Sequence, residues 1–254
     1  MRIVLPLLPL LALVTVWQGL VWVLAMPHFI LPGPGRVLAA LWQSRALIAE
    51  HALVTLAEVL AGLALGAILG GLSAVGLVLS PAARRLVQPM LVISQAIPVF
   101  ALAPVFTLWF GYGMASKVAM ALLIIYFPVT SAFFDALMAT PPGWLAQARV
   151  MGADARTALW RIRIPAALPG FLSGLRMAAV YAPIGAVIGE WVGASRGLGY
   201  LMLLANGRAK IDLMFATVLV VAALALSLHR GVDVLSARLL ARRMQASKRL
   251  PHET

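Results

Sequence analysis

The 254-residue sequence has no cysteine, which excludes disulfides, thiolate metal sites and cysteine nucleophiles. Charge is scarce, at 11% of residues, and acid scarcest, with 8 Asp and Glu against 20 Lys and Arg. No G-x-x-x-x-G-K-[ST] run can cradle a nucleotide phosphate, and no G-x-S-x-G presents a nucleophile. His28, His51, His229 and His252 are scattered without the H-x-x-x-H or H-E-x-x-H spacing of a zinc site. The expectation is therefore no catalytic residue, no metal and no bound cofactor. This chain therefore cannot itself hydrolyse ATP.

What fills the sequence is apolar. Hydrophobic residues make up 63% of the chain, and mean hydropathy is +0.99; soluble domains do not reach such values. Six strongly apolar runs with few charges read as membrane spans, at about 7–25, 53–79, 91–110, 118–137, 173–192 and 213–228. They must be helical, because lipid offers the backbone no partner, and the ~10-residue alternation of a barrel strand is missing. Residues 1–254 then form one all-α membrane domain, with no room for a sizeable soluble one. The start resembles a signal peptide, but no small-x-small site follows Ala25, so it reads as a retained first helix.

Lys and Arg split unevenly between alternate sides of these spans. Arg2, Arg84, Arg85, Arg149, Arg156, Arg161, Arg163, Arg176, Arg230, Arg238, Arg242, Arg243, Lys248 and Arg249 share one side; Arg36, Arg45, Lys117, Arg196, Arg208 and Lys210 share the other. The richer side is expected to be cytoplasmic, with both termini, the loop at about 138–172 and a basic tail at about 230–254. Such clusters suit topogenic loops and anionic lipid headgroups rather than nucleic acid.

Several features invite two readings. Gly62, Gly66 and Gly70 clear one stripe of the second span for a neighbouring helix. Pro98 and Pro104 in the third span predict either a packed kink or a lining of a transport path. Val37, Leu38, Leu41 and Trp42, after the Pro32–Gly35 break, predict a short interfacial helix on the outer face. Glu190, beside Trp191, is either an interfacial carboxylate paired with Arg196 or Arg208 or a group in gating or solute passage; Glu58 poses the same choice. Gln95, Tyr126, Tyr181 and Asn206 could stack on or hydrogen-bond a neutral heterocycle, though Tyr also populates membrane interfaces for amphipathic reasons.

The loop at 138–172 carries the most information. Leu145, Ala148 and Met151 fall on one helical face, Gly152 and Asp154 supply a bend and an N-cap, and Leu159, Ile162 and Ile164 continue the apolar contacts before Pro165 and Pro169 end the piece. With Arg149, Arg156, Arg161 and Arg163 around it, this bent piece suits a groove on another protein or a bed of headgroups.

That loop resembles the E-A-A-x-x-x-G-x(9)-I-x-L-P motif of ABC importer permeases, whose coupling helix enters a cleft of the ATP-hydrolysing subunit. Ala148, Gly152, Ile162 and Pro165 match, and Ile164 takes the Leu position; Ala146 and Gln147 replace the Glu and first Ala, so any contact made by the Glu is lost. The resemblance implies a type I ABC importer permease fold. Ala146, Gln147, Ala148, Arg149, Gly152, Ile162, Ile164 and Pro165 would couple to the ATPase, and Gln95, Pro98, Tyr181, Glu190 and Trp191 would line the path.

It further implies an inner-membrane protein partnered by an ABC ATPase subunit, an extracytoplasmic solute-binding protein, membrane lipids and a second permease copy as homodimer. The resemblance extends from Leu31-Pro-Gly-Pro to Leu198-Gly-Tyr-Leu-Met202 and is strongest to the taurine, alkanesulfonate and nitrate permease group. Within it, Gly189-Glu-Trp-Val-Gly-Ala-Ser195 and Gly197-Leu-Gly-Tyr-Leu-Met202 look most like permeases for hydroxymethylpyrimidine, a thiamine precursor. An ion-coupled secondary transporter is the alternative, but it needs membrane-embedded acids and often an inverted repeat, neither of them clear. A lipid-acting membrane enzyme would need a nucleophile–base pair, which is missing.

Overall fold

The structure, a computed structural model, describes residues 8–248, in which all regular structure is helical. Met1, Arg2, Arg249 and the rest of the expected tail end lie outside the described residues. The helices are α1 (Leu8–Val23), α2 (Pro34–Gln43), α3 (Arg45–Leu79), α4 (Pro81–Ser94), α5 (Val99–Phe110), α6 (Met114–Met138), α7 (Pro142–Val150), α8 (Ala155–Ala158), α9 (Ile164–Gly193), α10 (Leu198–Gly207) and α11 (Ile211–Lys248). Four segments are long and apolar enough to cross a membrane: α3, α6, the continuous stretch Ala155–Gly193, and Ile211–Arg242 of α11. A bent pair, α4 and α5, supplies a fifth, and α1 has 16 described residues.

Small residues set the core. The glycine stripe of α3 does what its spacing predicts: a Cβ at Gly62 would sit 2.8 Å from the Ala121 Cβ, one at Gly70 would sit 2.9 Å from a Val129 methyl, and one at Gly66 would overlap Ile125. A second set on α9 does the same against α6, where a Cβ on Gly174 or Gly185 would lie 2.7 Å from the backbone of Pro128 or Ala121. Close approach lets dispersion replace the missing hydrophobic drive between helices in lipid. Val59, Leu63, Ala121, Ile125, Val129, Ala178, Ala179, Ala182 and Ala186 fill the centre.

Two expectations are corrected. The third span is not one helix: α4 and α5 meet at 104° across Gln95–Pro98, with Pro98 capping α5 and only Pro104 inside it. Pro165 and Pro169 do not end the loop's second piece. A π turn over Leu159–Arg163, in which the Ile164 N–H reaches back to the Leu159 carbonyl, widens the backbone just before Pro165, and the helix runs on to Gly193.

Candidate functional site

The two ends of the bundle differ in chemistry. At the Arg-rich end, α7 stops at Met151, and Gly152 adopts φ +79, the left-handed region that favours glycine. The Gly152 N–H bonds the Arg149 carbonyl and the Ala153 N–H bonds the Ala148 carbonyl, both at 2.9 Å, which closes the helix in a Schellman turn. Asp154 caps α8 by accepting from the Thr157 N–H at 2.9 Å; the Thr157 side chain first, and its N–H second, hold the carboxyl below the usual carboxylate range.

Leu145 and Ala148 do not present the outward ridge expected of them: Leu145 is half-buried and Ala148 buried, and Met151 does not share their face, being 79% exposed beside Val150 at 89%. Both precede the left-handed step at Gly152, which ends the helix immediately after them. Ala146, Gln147, Arg149 and Gly152 are exposed, while Ile162, Ile164 and Pro165 are half-buried where the π turn joins α9. Trp144 and Trp160 are exposed on the same segment. Behind it, a cavity of about 450 Å³ lies against Val78 and Leu79 at the end of α3, with Arg149, Asp154 and Arg163 in its wall.

The opposite end is a clamp of buried polar groups. Gly197, at φ +110, turns the chain into α10, and three successive N–H groups there find side chains from the long helices. The Gly197 N–H donates to His51 Nδ1 at 3.0 Å, the Leu198 N–H to Thr55 Oγ1 at 2.8 Å, and the Gly199 N–H to Glu190 Oε2. Thr55 in turn donates to Glu190 Oε1 at 2.6 Å. Glu58, one turn along α3 from Thr55, is also buried, and its Oε2 has no hydrogen-bond partner among the described residues. Lys117 Nζ donates to the carbonyls of Tyr112 and, at 2.7 Å, Gly193, pinning the start of α6 to the end of α9.

Glu190 is 1% exposed and bonded to neither Arg196 nor Arg208, so the first of its two readings, an interfacial ion pair, is not formed. The described ion pairs are Arg36–Asp212, which ties α2 to α11, and Arg176–Asp233, which ties α9 to α11. The Asp212 carboxylate, through its hydrogen bond, raises the pKa of Arg36 further. His51, Thr55 and Lys117 were not singled out by sequence reasoning as members of one site. The available signal was a polar residue interrupting an apolar helix, but their meeting depends on tertiary contact.

The expected path residues do not converge. Gln95 and Tyr181 share a cavity of about 390 Å³. Pro98 caps α5. Trp191 packs edge-on against Phe100, with ring centroids 6.4 Å apart, and Glu190 belongs to the clamp.

A broken-span bundle with a bent basic segment before its last helices is the architecture of a membrane permease, and the comparisons place the chain accordingly. Residues 62–241 match the family described as the binding-protein-dependent transport system inner membrane component, and the chain belongs to that family. It is 48% identical to a probable ABC transporter permease protein of Haemophilus influenzae, over 94% of this chain and 98% of the relative. It is also 41% identical to a formylaminopyrimidine transport permease of Halalkalibacterium halodurans, over 77% and 78% of the two chains. Its fold matches the crystal structure of an amino acid ABC transporter with a TM-score of 0.63 at 16% identity, covering 81% of this chain and 97% of that one. The chain is thus a multi-pass membrane permease subunit of an ABC importer with the type I fold, and the ion-coupled alternative finds no support.

Proposed function

We propose that two copies of this chain form the pathway of an inner-membrane importer whose ATPase subunits grip residues 146–165 from the cytoplasm. The observation that carries this reading is the exposed edge of Val150 and Met151 just before the Schellman turn at Gly152, with the exposed Arg149, Arg156 and Arg161 on the same segment. An exposed apolar edge bordered by cations suits a cleft on a soluble partner. The arginine bias sets this end in the cytoplasm with both termini, and the clamp end faces the extracytoplasmic solute-binding protein. ATP and Mg are used by the ATPase. Movement of its paired subunits, passed through the π turn into α9, switches the cavity between the two copies.

The cargo in this reading is a thiamine-precursor pyrimidine such as hydroxymethylpyrimidine, ahead of taurine, alkanesulfonate or nitrate. The likeness to the formylaminopyrimidine permease supports it. A Gly152→Val variant tests the docking. A Cβ at Gly152 meets nothing within 4 Å, so the substitution strains only the turn. Loss of both ATPase co-purification and solute uptake, in a variant that still inserts and folds, is expected; normal uptake would overturn the assignment.

A further inference from the structure

Resting on the importer reading above, we infer that the cavity at the α4–α5 break is a solute site, built by Gln95 and Tyr181 for an uncharged, flat heteroaromatic ring. Its other walls are Ile124, Phe127, Pro128 and Met177. Its volume of about 390 Å³ lies within the range of small-molecule sites, ~300–1,000 Å³.

The site sits at membrane depth. Tyr181 lies well inside the 30-residue helix α9, and Gln95 opens the unwound Gln95–Pro98 segment between two apolar helices. Backbone outside a helix is tolerated at that depth only where protein or a wet cavity surrounds it. Among the described residues the Tyr181 hydroxyl makes no hydrogen bond, and the Gln95 amide nitrogen reaches only the Ser94 hydroxyl, at 3.3 Å. Tyr181 is 40% exposed. Facing acyl chains, both groups would be orphaned at a cost; facing a passing solute, they supply donors and acceptors within one small cavity.

The lining also excludes a cargo. It contains no Lys, Arg, His, Asp or Glu, so a sulfonate or nitrate stopping here would lose hydration without a counter-charge. A neutral ring loses little. The faces of Phe127 and Tyr181 and the Met177 sulfur offer it stacking and S–π contact, while Gln95 and Tyr181 read its edge.

The test uses the permease–ATPase complex in nanodiscs for binding, and in proteoliposomes with the solute-binding protein for uptake. The probes are radiolabelled 4-amino-5-hydroxymethyl-2-methylpyrimidine and taurine. Wild type is expected to bind and carry the pyrimidine and not taurine. Tyr181→Phe and Gln95→Leu should each weaken pyrimidine binding about tenfold, the worth of one hydrogen bond of roughly 1.4 kcal/mol, while still co-purifying with the ATPase. Gln95→Arg should lose the pyrimidine and gain measurable taurine binding. Pyrimidine uptake and binding unchanged in both neutral variants would overturn this site and leave the importer reading standing. Taurine carried in place of pyrimidine by wild type would overturn the solute class. ATP-driven uptake of neither probe would overturn the cargo reading and this site together.

Discussion

The clamp end and the Arg-rich end of this bundle use polar residues in opposite ways. At the clamp, Glu190, Thr55 and His51 are buried and spend their hydrogen-bonding capacity on the N-terminus of α10. On the segment 142–163, Trp144, Val150, Met151 and Trp160 are turned outward with Arg149, Arg156 and Arg161, and the backbone closes its own bonds through the Gly152 turn. A group satisfied inside the chain fixes structure, whereas exposed side chains on a self-sufficient backbone are free to meet a partner. Under the proposed docking, this difference gives rigidity to one end and a free surface for the ATPase to the other.

The largest effect should come from breaking the clamp. Glu190→Leu leaves the Thr55 hydroxyl and the Gly199 N–H without their acceptor, at about 1–3 kcal/mol each. A marked fall in the thermal unfolding midpoint in detergent is expected, with Glu190→Gln, which keeps an acceptor oxygen, falling less. An unchanged midpoint for the leucine variant would remove the clamp from the account.

Next comes the shared frame between the two ends. Gly66→Leu drives a side chain into Ile125 on α6, and overpacking of this kind costs about 1–3 kcal/mol. Reduced stability with proportionate loss at both ends is expected in limited proteolysis; protection equal to wild type would show that the helices can separate cheaply.

At the other end the signature should reverse. Val150→Asp alters a side chain that is almost wholly in solvent, so the unfolding midpoint should stay near wild type while ATPase co-purification drops. A variant that is unstable yet still docks would invert the comparison. Smallest is Asp154→Ala, which removes the cap of α8. Because the folded carboxyl titrates below its usual value, the cap contributes fully above the unfolded carboxylate range and is lost as pH falls through the lowered folded value. Faster amide exchange at Thr157, little changed with Asp154→Asn, is the outcome to look for.

How much of this the chain announces beforehand depends on the range of the interaction. The apolar runs, the α3 glycine stripe, the α2 helix and the Gly152–Asp154 bend are local, and each stands where its residues imply. The break in the third span stayed hidden because Leu91–Phe110 is apolar throughout, and composition cannot see a bend. The continuation past Pro165 needed a π turn that no residue type specifies. On α9, Gly170 with Gly174 and Gly185 with Gly189 repeat the spacing read on α3 and could have been recognised the same way. The clamp could not: residues 51, 55, 117 and 190 come from α3, α6 and α9 and gather only once these pack with α10, and Glu190 seen alone invites the surface pairing it does not make.

Absence of cysteine makes the decisive measurement clean, since a single Val150→Cys substitution carries the only thiol. Labelling by a membrane-impermeant maleimide is compared in right-side-out and inside-out vesicles, with and without the ATPase subunit. The account requires reaction from the cytoplasmic face alone and protection when the ATPase is bound; reaction from the outer face, or labelling indifferent to the ATPase, would contradict it.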